Sequence, residues 1–303
     1  MRTARHPSAR RAATLSKLVL QLAALGFILA VGCTGEHVTP PGGDGPNLPL
    51  ITSGGDYNYQ VYYVEEGDTL SSIGRRTGVP WEKIQEVNDC DPRDLAAGQV
   101  LLIPMHQREQ PPDRTGTASF PDHSGGASGH VVLDPGHGGR DPGATSPHAP
   151  HEKIINLAVA RKVARRLRRQ GCRVTMTREG DAFVSLDQRA SIANRLNADL
   201  FVSIHCNSSR DGGARGYEVY VAGGASSASR SAARSVEGAL SGAGIRSRGI
   251  KTANYHVLTN TTVPAILIEL GFLSNAAEAD RLTDPATQDR LADRIARGIR
   301  STL

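Results

Sequence analysis

Cysteine is scarce in this 303-residue chain. There are four, Cys33, Cys90, Cys172 and Cys206, far apart and without a C-x-x-C pair. That spacing excludes a disulfide framework and a zinc-finger cluster. Cys172 opens one expected strand and Cys206 follows another, so in parallel neighbours they would stand at opposite ends and not bridge. A membrane-spanning run is also missing. Residues 18–31 form a 14-residue apolar stretch broken by Gln21 and Gly26, whereas a comfortable span needs about 20 residues. The zincin pattern HExxH is absent, because HEKII carries Ile155 where the second His would stand. Even the net charge of +5 dissolves on inspection. Residues 1–32 hold five basic groups and no acid, and the rest of the chain carries 30 of each sign. The basic surface of a nucleic-acid binder is therefore not encoded, and nucleic acid is excluded as a partner.

What is present falls into five segments. Residues 1–33 have a basic start (Arg2, Arg5, Arg10, Arg11, Lys17), an apolar middle and the ending Ala-Val-Gly-Cys. This is an export signal. A small residue before Cys33 resembles a lipoprotein signal, with Ala30 where Leu is usual. The resemblance implies acylation of Cys33, a lipid anchor on the membrane and a place in the periplasm or cell envelope. Residues 34–56 are a Gly/Pro-rich tether with no core to bury. Residues 105–129 are a second linker, with a Pro pair at 111–112 and the run SGGASG.

Between the two linkers, residues 57–104 read as a compact unit. VYYV is a strand, Asp68 caps a helix over 69–76, Pro80 opens a second helix and VLLIP closes as a strand. Trp81 and the pair Tyr62–Tyr63 are expected in its core. The frame GDTL…GQ-x-L-x-IP over residues 61–104 resembles a LysM module. The resemblance implies a βααβ fold that binds N-acetylglucosamine-containing glycan.

From residue 130 to 303 apolar strands alternate with amphipathic helices, the rhythm of βαβ units and a mostly parallel twisted sheet flanked by helices. The expected helices cover 152–170, 187–197 and 285–303, the last capped by Asp284. Arg161, Lys162, Arg165, Arg166, Arg168 and Arg169 form the solvated face of the first. Four polar residues lie just past the ends of apolar runs. His137 sits in the glycine-rich loop after VVLD, Glu152 opens a helix, His205 ends FVSIH and Glu269 ends AILIE. In a parallel sheet all four land on the carboxyl rim, where open α/β sheets bind ligands. Two His and a carboxylate there suit a catalytic Zn²⁺ with an open position. His148 and His151 compete with Glu152 as ligands, and nothing local settles the choice. Glu269, at the mouth of an apolar strand, should have its pKa raised by desolvation, which suits proton transfer.

Taken together, LDPGHGG, the Glu152 helix, SIHCN and PAILIELGFLSN resemble the zinc-dependent N-acetylmuramoyl-L-alanine amidases of the amidase-3 type, over roughly 130–303. The resemblance implies one Zn²⁺ held by His137, Glu152 and His205, with Glu269 as catalytic acid/base and peptidoglycan as substrate. The bond cleaved would join the lactyl group of N-acetylmuramic acid to L-alanine of the stem peptide. Asn207 and Arg189 are candidates either to hold a metal ligand in place or to touch the substrate. Cys206 departs from the family's usual small residue. The segment between Glu218 and Glu269 lacks the long insertion that plugs the site in some relatives, although an activator protein stays open as a partner. Two alternatives are a non-catalytic wall-binding or activator protein, and another zinc peptidase or deacetylase acting on the same polymer.

Overall fold

The computed structural model describes residues 50–52, 57–106 and 129–303. The export segment, Cys33, most of the 34–56 tether and most of the second linker lie outside them. Among the described residues no helix is long and apolar enough to cross a membrane.

The first part is a small sheet with two helices. β1 (Leu50–Thr52) pairs antiparallel with β2 (Tyr57–Tyr63), so three residues read as tether form an edge strand. Leu-Ile-Thr suits a pleated surface, and β2 offers it an open edge. α1 (Leu70–Thr77) starts one residue later than Asp68 would cap it. Thr69 is the N-cap and forms a capping box with Ser72. Asp68 instead accepts from Tyr62 Oη at 2.7 Å and pairs with Arg76. α2 (Trp81–Asn88) follows Pro80, which is its cap rather than its first residue. Trp81 is 38 % exposed, not core. It lies on the outer side of α2, while Ile84 and Val87 face inward. Tyr62 is buried, Tyr63 only partly. β3 (Val100–His106) returns antiparallel to β2.

The second part is a six-stranded sheet. In chain order it comprises β4 (His130–Pro135), α3 (Glu152–Arg169), β5 (Arg173–Met176), α4 (Leu186–Arg195), β6 (Leu200–Asn207) and β7 (Tyr217–Val221). Then come α5 (Ser227–Ser241), β8 (Ser247–Thr252), α6 (His256–Thr259), β9 (Ala265–Phe272), α7 (Ala276–Thr283) and α8 (Pro285–Arg300). The strand order is β5-β4-β6-β9-β7-β8. All neighbours are parallel except β7 and β9, which are antiparallel.

Alternation sorts the core. Val131 and Leu133 of β4 face α3, α5 and α8 on one side, and Val132 faces α4 and α6 on the other. Every residue of β4 and β9 is buried, as expected for central strands covered on both faces. Of the residues that helical spacing turns inward on α3, Ala160, Ala164 and Leu167 are buried and Leu157 only partly, while Ile155, Val159 and Val163 complete the buried face. Its basic face is not wholly solvated. Lys162 and Arg166 both pair with Asp289 of α8, at 2.6 and 2.8 Å. Asp284 caps α8 through the amides of Ala286 and Thr287.

The chain runs from β4 outward to β5, then returns across β4 to β6. The strand order therefore reverses between β4 and β6. Ligand sites of open α/β sheets lie at such a reversal, outside the carboxyl ends. His137 follows β4 and His205 stands near the end of β6.

Candidate active site

The backbone brings the four rim residues together before any side chain is considered. Gly136 N donates to Ile204 O at 3.0 Å, which ties the loop after β4 to the end of β6. His205 and Glu269 are paired across β6 and β9. Glu152, the first residue of α3, is 3 % exposed and reaches the rim from beneath the loop. His137 adopts a left-handed backbone, φ 61°, sparsely populated by non-glycine residues. Two contacts hold it there. Arg189 donates to its carbonyl at 2.8 Å, and Asp141 Oδ2 lies 2.7 Å from its Nδ1.

With Nδ1 of His137 taken by Asp141, Nε2 faces the site, 3.2 Å from Glu152 Oε2. Nδ1 of His205 is 3.0 Å from Glu152 Oε1. One donor atom from each of His137, Glu152 and His205 lies within 4.8 Å of the others, so the three could hold a metal ion. Zinc binds nitrogen and oxygen at roughly 2.0–2.2 Å, which sets tetrahedral ligands about 3.4 Å apart. The spacing and the two-imidazole, one-carboxylate donor set therefore fit a catalytic zinc. Asp141 is the acceptor that commonly fixes a ligating imidazole's tautomer. Glu152 is steadied by Ala144 N at 2.8 Å, Cys206 N at 2.9 Å and Asn156 Nδ2 at 3.0 Å.

The electrostatics separate the two glutamates. Burial alone would raise Glu152, but hydrogen bonds from His137 and His205 hold it well below the usual carboxylate range. It stays an anion, the form in which a carboxylate can bind a metal. Burial dominates at Glu269 and pushes it up to about 7, with the neighbouring Glu152 and Glu218 acting in the same direction. Its Oε2 is buried with no hydrogen-bond partner among the described residues. It can therefore both take up and release a proton near neutral pH, with one oxygen unclaimed by any partner among the described residues. Burial would lower His137, but the carboxylates of Glu152 and Asp141 outweigh it and raise it.

His137, His205 and Glu269 share a cavity of about 470 Å³ with Val184, Val257 and Tyr255. Other residues singled out from the sequence fall elsewhere. His148 and His151 are exposed and outside the three-residue cluster. Cys206 is buried on the opposite side of β6 from His205. Asn207 donates to Glu218 Oε2 at 3.1 Å. Arg189 is 3 % exposed and spends its guanidinium on Asp134 and on the carbonyls of Pro135, His137 and Val184. Its side chain braces the His137 loop.

Sequence reasoning missed the rest of that brace. Arg178 is fully buried and donates to the carbonyls of Pro135, Gly136, Lys153 and Gly180. Asp141, four residues after His137 in the same loop, was detectable by its spacing. Glu218, beside Glu269 in register, is held by Lys251, Arg248 and Tyr220 Oη.

Residues 131–301 match the Amidase_3 family, N-acetylmuramoyl-L-alanine amidase, and residues 62–104 match the LysM domain. The probable cell wall amidase LytH of Staphylococcus epidermidis is 30 % identical over 79 % of this chain and 76 % of its own length. The catalytic domain of CwlV, an N-acetylmuramoyl-L-alanine amidase from Bacillus (Paenibacillus) polymyxa var. colistinus, superposes with a TM-score of 0.54 at 42 % identity. That superposition covers 56 % of this chain and 96 % of that one. An N-acetylmuramoyl-L-alanine amidase from Clostridium difficile 630 gives 0.56 at 38 % identity, covering 58 % and 97 %. This chain, whose mostly parallel sheet gathers two imidazoles and two glutamates at its carboxyl rim and which carries a LysM domain before it, thus belongs to the N-acetylmuramoyl-L-alanine amidase family of peptidoglycan hydrolases.

Proposed function

We propose that the chain cleaves the amide between the lactyl group of N-acetylmuramic acid and L-alanine, with one Zn²⁺ held by His137, Glu152 and His205. The observation that carries this is the convergence of those three donors, two of which, His137 and His205, share a cavity with a protonatable Glu269. A bound zinc supplies a Lewis acid and brings the pKa of its water to about 7.

The protein's own groups do the remainder. Asp141 orients His137, and Arg189 and Arg178 fix the loop that carries it. Glu269 takes the proton of the attacking water and returns it to the departing L-alanine amine. Amide nitrogen leaves poorly unless protonated, so the same carboxyl acting first as base and then as acid suits this bond. Val184, Val257 and Leu267 give that cavity apolar walls, and low polarity strengthens each charge interaction beside them. Residues 1–33 direct the chain to the cell envelope, with Cys33 as the lipidated residue.

Purified protein incubated with muropeptides should release intact stems beginning with L-alanine, and a chelator should stop the release. Free D-alanine or acetate as the product would favour a different wall hydrolase. No product with any added metal would favour a wall-binding protein without catalysis.

A further inference from the structure

The LysM sheet has two apolar faces. Tyr62, Val64, Leu101 and Ile103 face α1 and α2 and form that module's own core. Tyr59, Val61, Val100 and Leu102 alternate with them and point the other way. A free-standing βααβ module would leave this second face in water. Here all four are buried, Leu102 to 1 % exposure, in one cluster with Ile192 and Leu196 from the catalytic domain.

Polar contacts ring this apolar patch. Gln188 Nε2 donates to the carbonyls of Asn88 and Asp89 at 3.2 and 3.1 Å, where α2 ends. Arg195 Nη1 donates to Tyr59 Oη at 3.2 Å, and Arg140 pairs with Asp94 at 2.8 Å. The backbones themselves meet. Glu179 N donates to Gly98 O at 2.7 Å, and Gln99 and Arg178 form an antiparallel bridge. This approach needs two residues without side chains. A Cβ on Gly98 would lie 2.3 Å from Gly180 N, and one on Gly180 would lie 2.7 Å from Ala97 O.

The contact falls on the segment that supports the site. Arg178 and Arg189 lie within the docked stretch, and between them they hold the carbonyls of Pro135, Gly136 and His137. We propose that the LysM module is a fixed part of the catalytic domain, docked through the second face of its sheet onto α4 and the 178–183 loop, where it positions the His137 loop. A glycan bound by the module is then held at a set place relative to Glu269, and the module acts on turnover as well as on wall targeting. The glycan part of this inference rests on the amidase reading above.

The test inserts a protease site between residues 107 and 128 of the full chain. After cleavage the two fragments should co-elute on gel filtration. Gly180→Val, at a position with ordinary φ, wedges the junction from the catalytic side, and Leu102→Glu wedges it from the module side. Each should separate the cleaved fragments. Each should also lower kcat on a soluble disaccharide-peptide, too short to span both parts, by about 10- to 100-fold with KM little changed. Equal losses from opposite sides of the junction would exclude local damage at the 178–183 loop. Wild-type fragments that separate on cleavage would overturn the proposal. So would variants that separate with kcat unchanged, or that stay associated. If the wild-type chain cleaves no muropeptide, the amidase reading fails, while the co-elution result still decides the docking.

Discussion

Gly136→Ala probes the site without altering any residue that faces a metal. Gly136 has no positive φ, so alanine brings no backbone strain. Its peptide is pinned on three sides, by Ile204 O, Arg178 and Asn156. A Cβ there would stand 2.1 Å from Cε1, 2.2 Å from Nε2 and 2.6 Å from Nδ1 of His205. Ordinary carbon contacts begin near 3.4 Å. The imidazole must therefore retreat by about 1 Å, whereas ligand distances hold to within roughly 0.2 Å. Displacing a supporting group alone typically weakens a site about 10- to 100-fold, so moving a ligand should cost at least the upper figure. A factor of 100 is about 2.7 kcal/mol. Competition between apo-protein and a chromophoric chelator measures it, with circular dichroism confirming the fold. An alanine variant that binds zinc within threefold of wild type would show that His205 is not a ligand, and the geometric argument would fail.

Three further outcomes are expected. Glu269→Gln should keep its zinc but lose turnover by about 100-fold or more, the contribution of a placed acid/base; zinc lost from this variant would move Glu269 into the ligand set. Arg189→Met leaves Asp134 charged and buried after removing its 2.6 Å partner, which should destabilise the fold by about 3–5 kcal/mol in urea titrations; a loss under 1 kcal/mol would deny the brace. His130, 2 % exposed, is lowered to about 4 by burial, with Arg173 adding to the effect. Its folded pKa lies below the unfolded value of 6.5, so its stability contribution is full above pH 6.5. That contribution falls as pH drops toward 4, by about 3 kcal/mol in all. His130→Asn should flatten that part of the stability curve, and an unchanged slope would assign it to other groups.

The strands and longest helices were legible because their patterns are local. α3 and α8 keep apolar residues at helical spacing, and Asp284 announces its helix. The four rim residues were legible because His137 follows a strand, Glu152 opens a helix, and His205 and Glu269 each end an apolar run, although β6 and β9 continue past them. Glu152 was not decidable from its neighbours, since His148 and His151 offered equivalent chemistry. Only the return of α3 beneath the loop brings Glu152, and not those two, within reach of His137 and His205. Asp68 was misassigned because Tyr62 and Arg76, six and eight residues away, claim its oxygens. Trp81 defied the core expectation because α2 packs by Ile84 and Val87 alone. Arg178 looks like a surface residue in the sequence, and its burial depends on four carbonyls gathered from three segments. The second apolar face of the LysM sheet was visible in VYYV and VLLI, but the residues that cover it, Ile192 and Leu196, come far later in the chain.

The most direct measurement is the zinc content of the full chain, paired with the mass of the peptide it releases from muropeptides. The account predicts one zinc per chain, lost together with activity in His137→Ala, Glu152→Ala and His205→Ala, and a released stem whose first residue is L-alanine. Metal-free protein that hydrolyses the wall at full rate would contradict it.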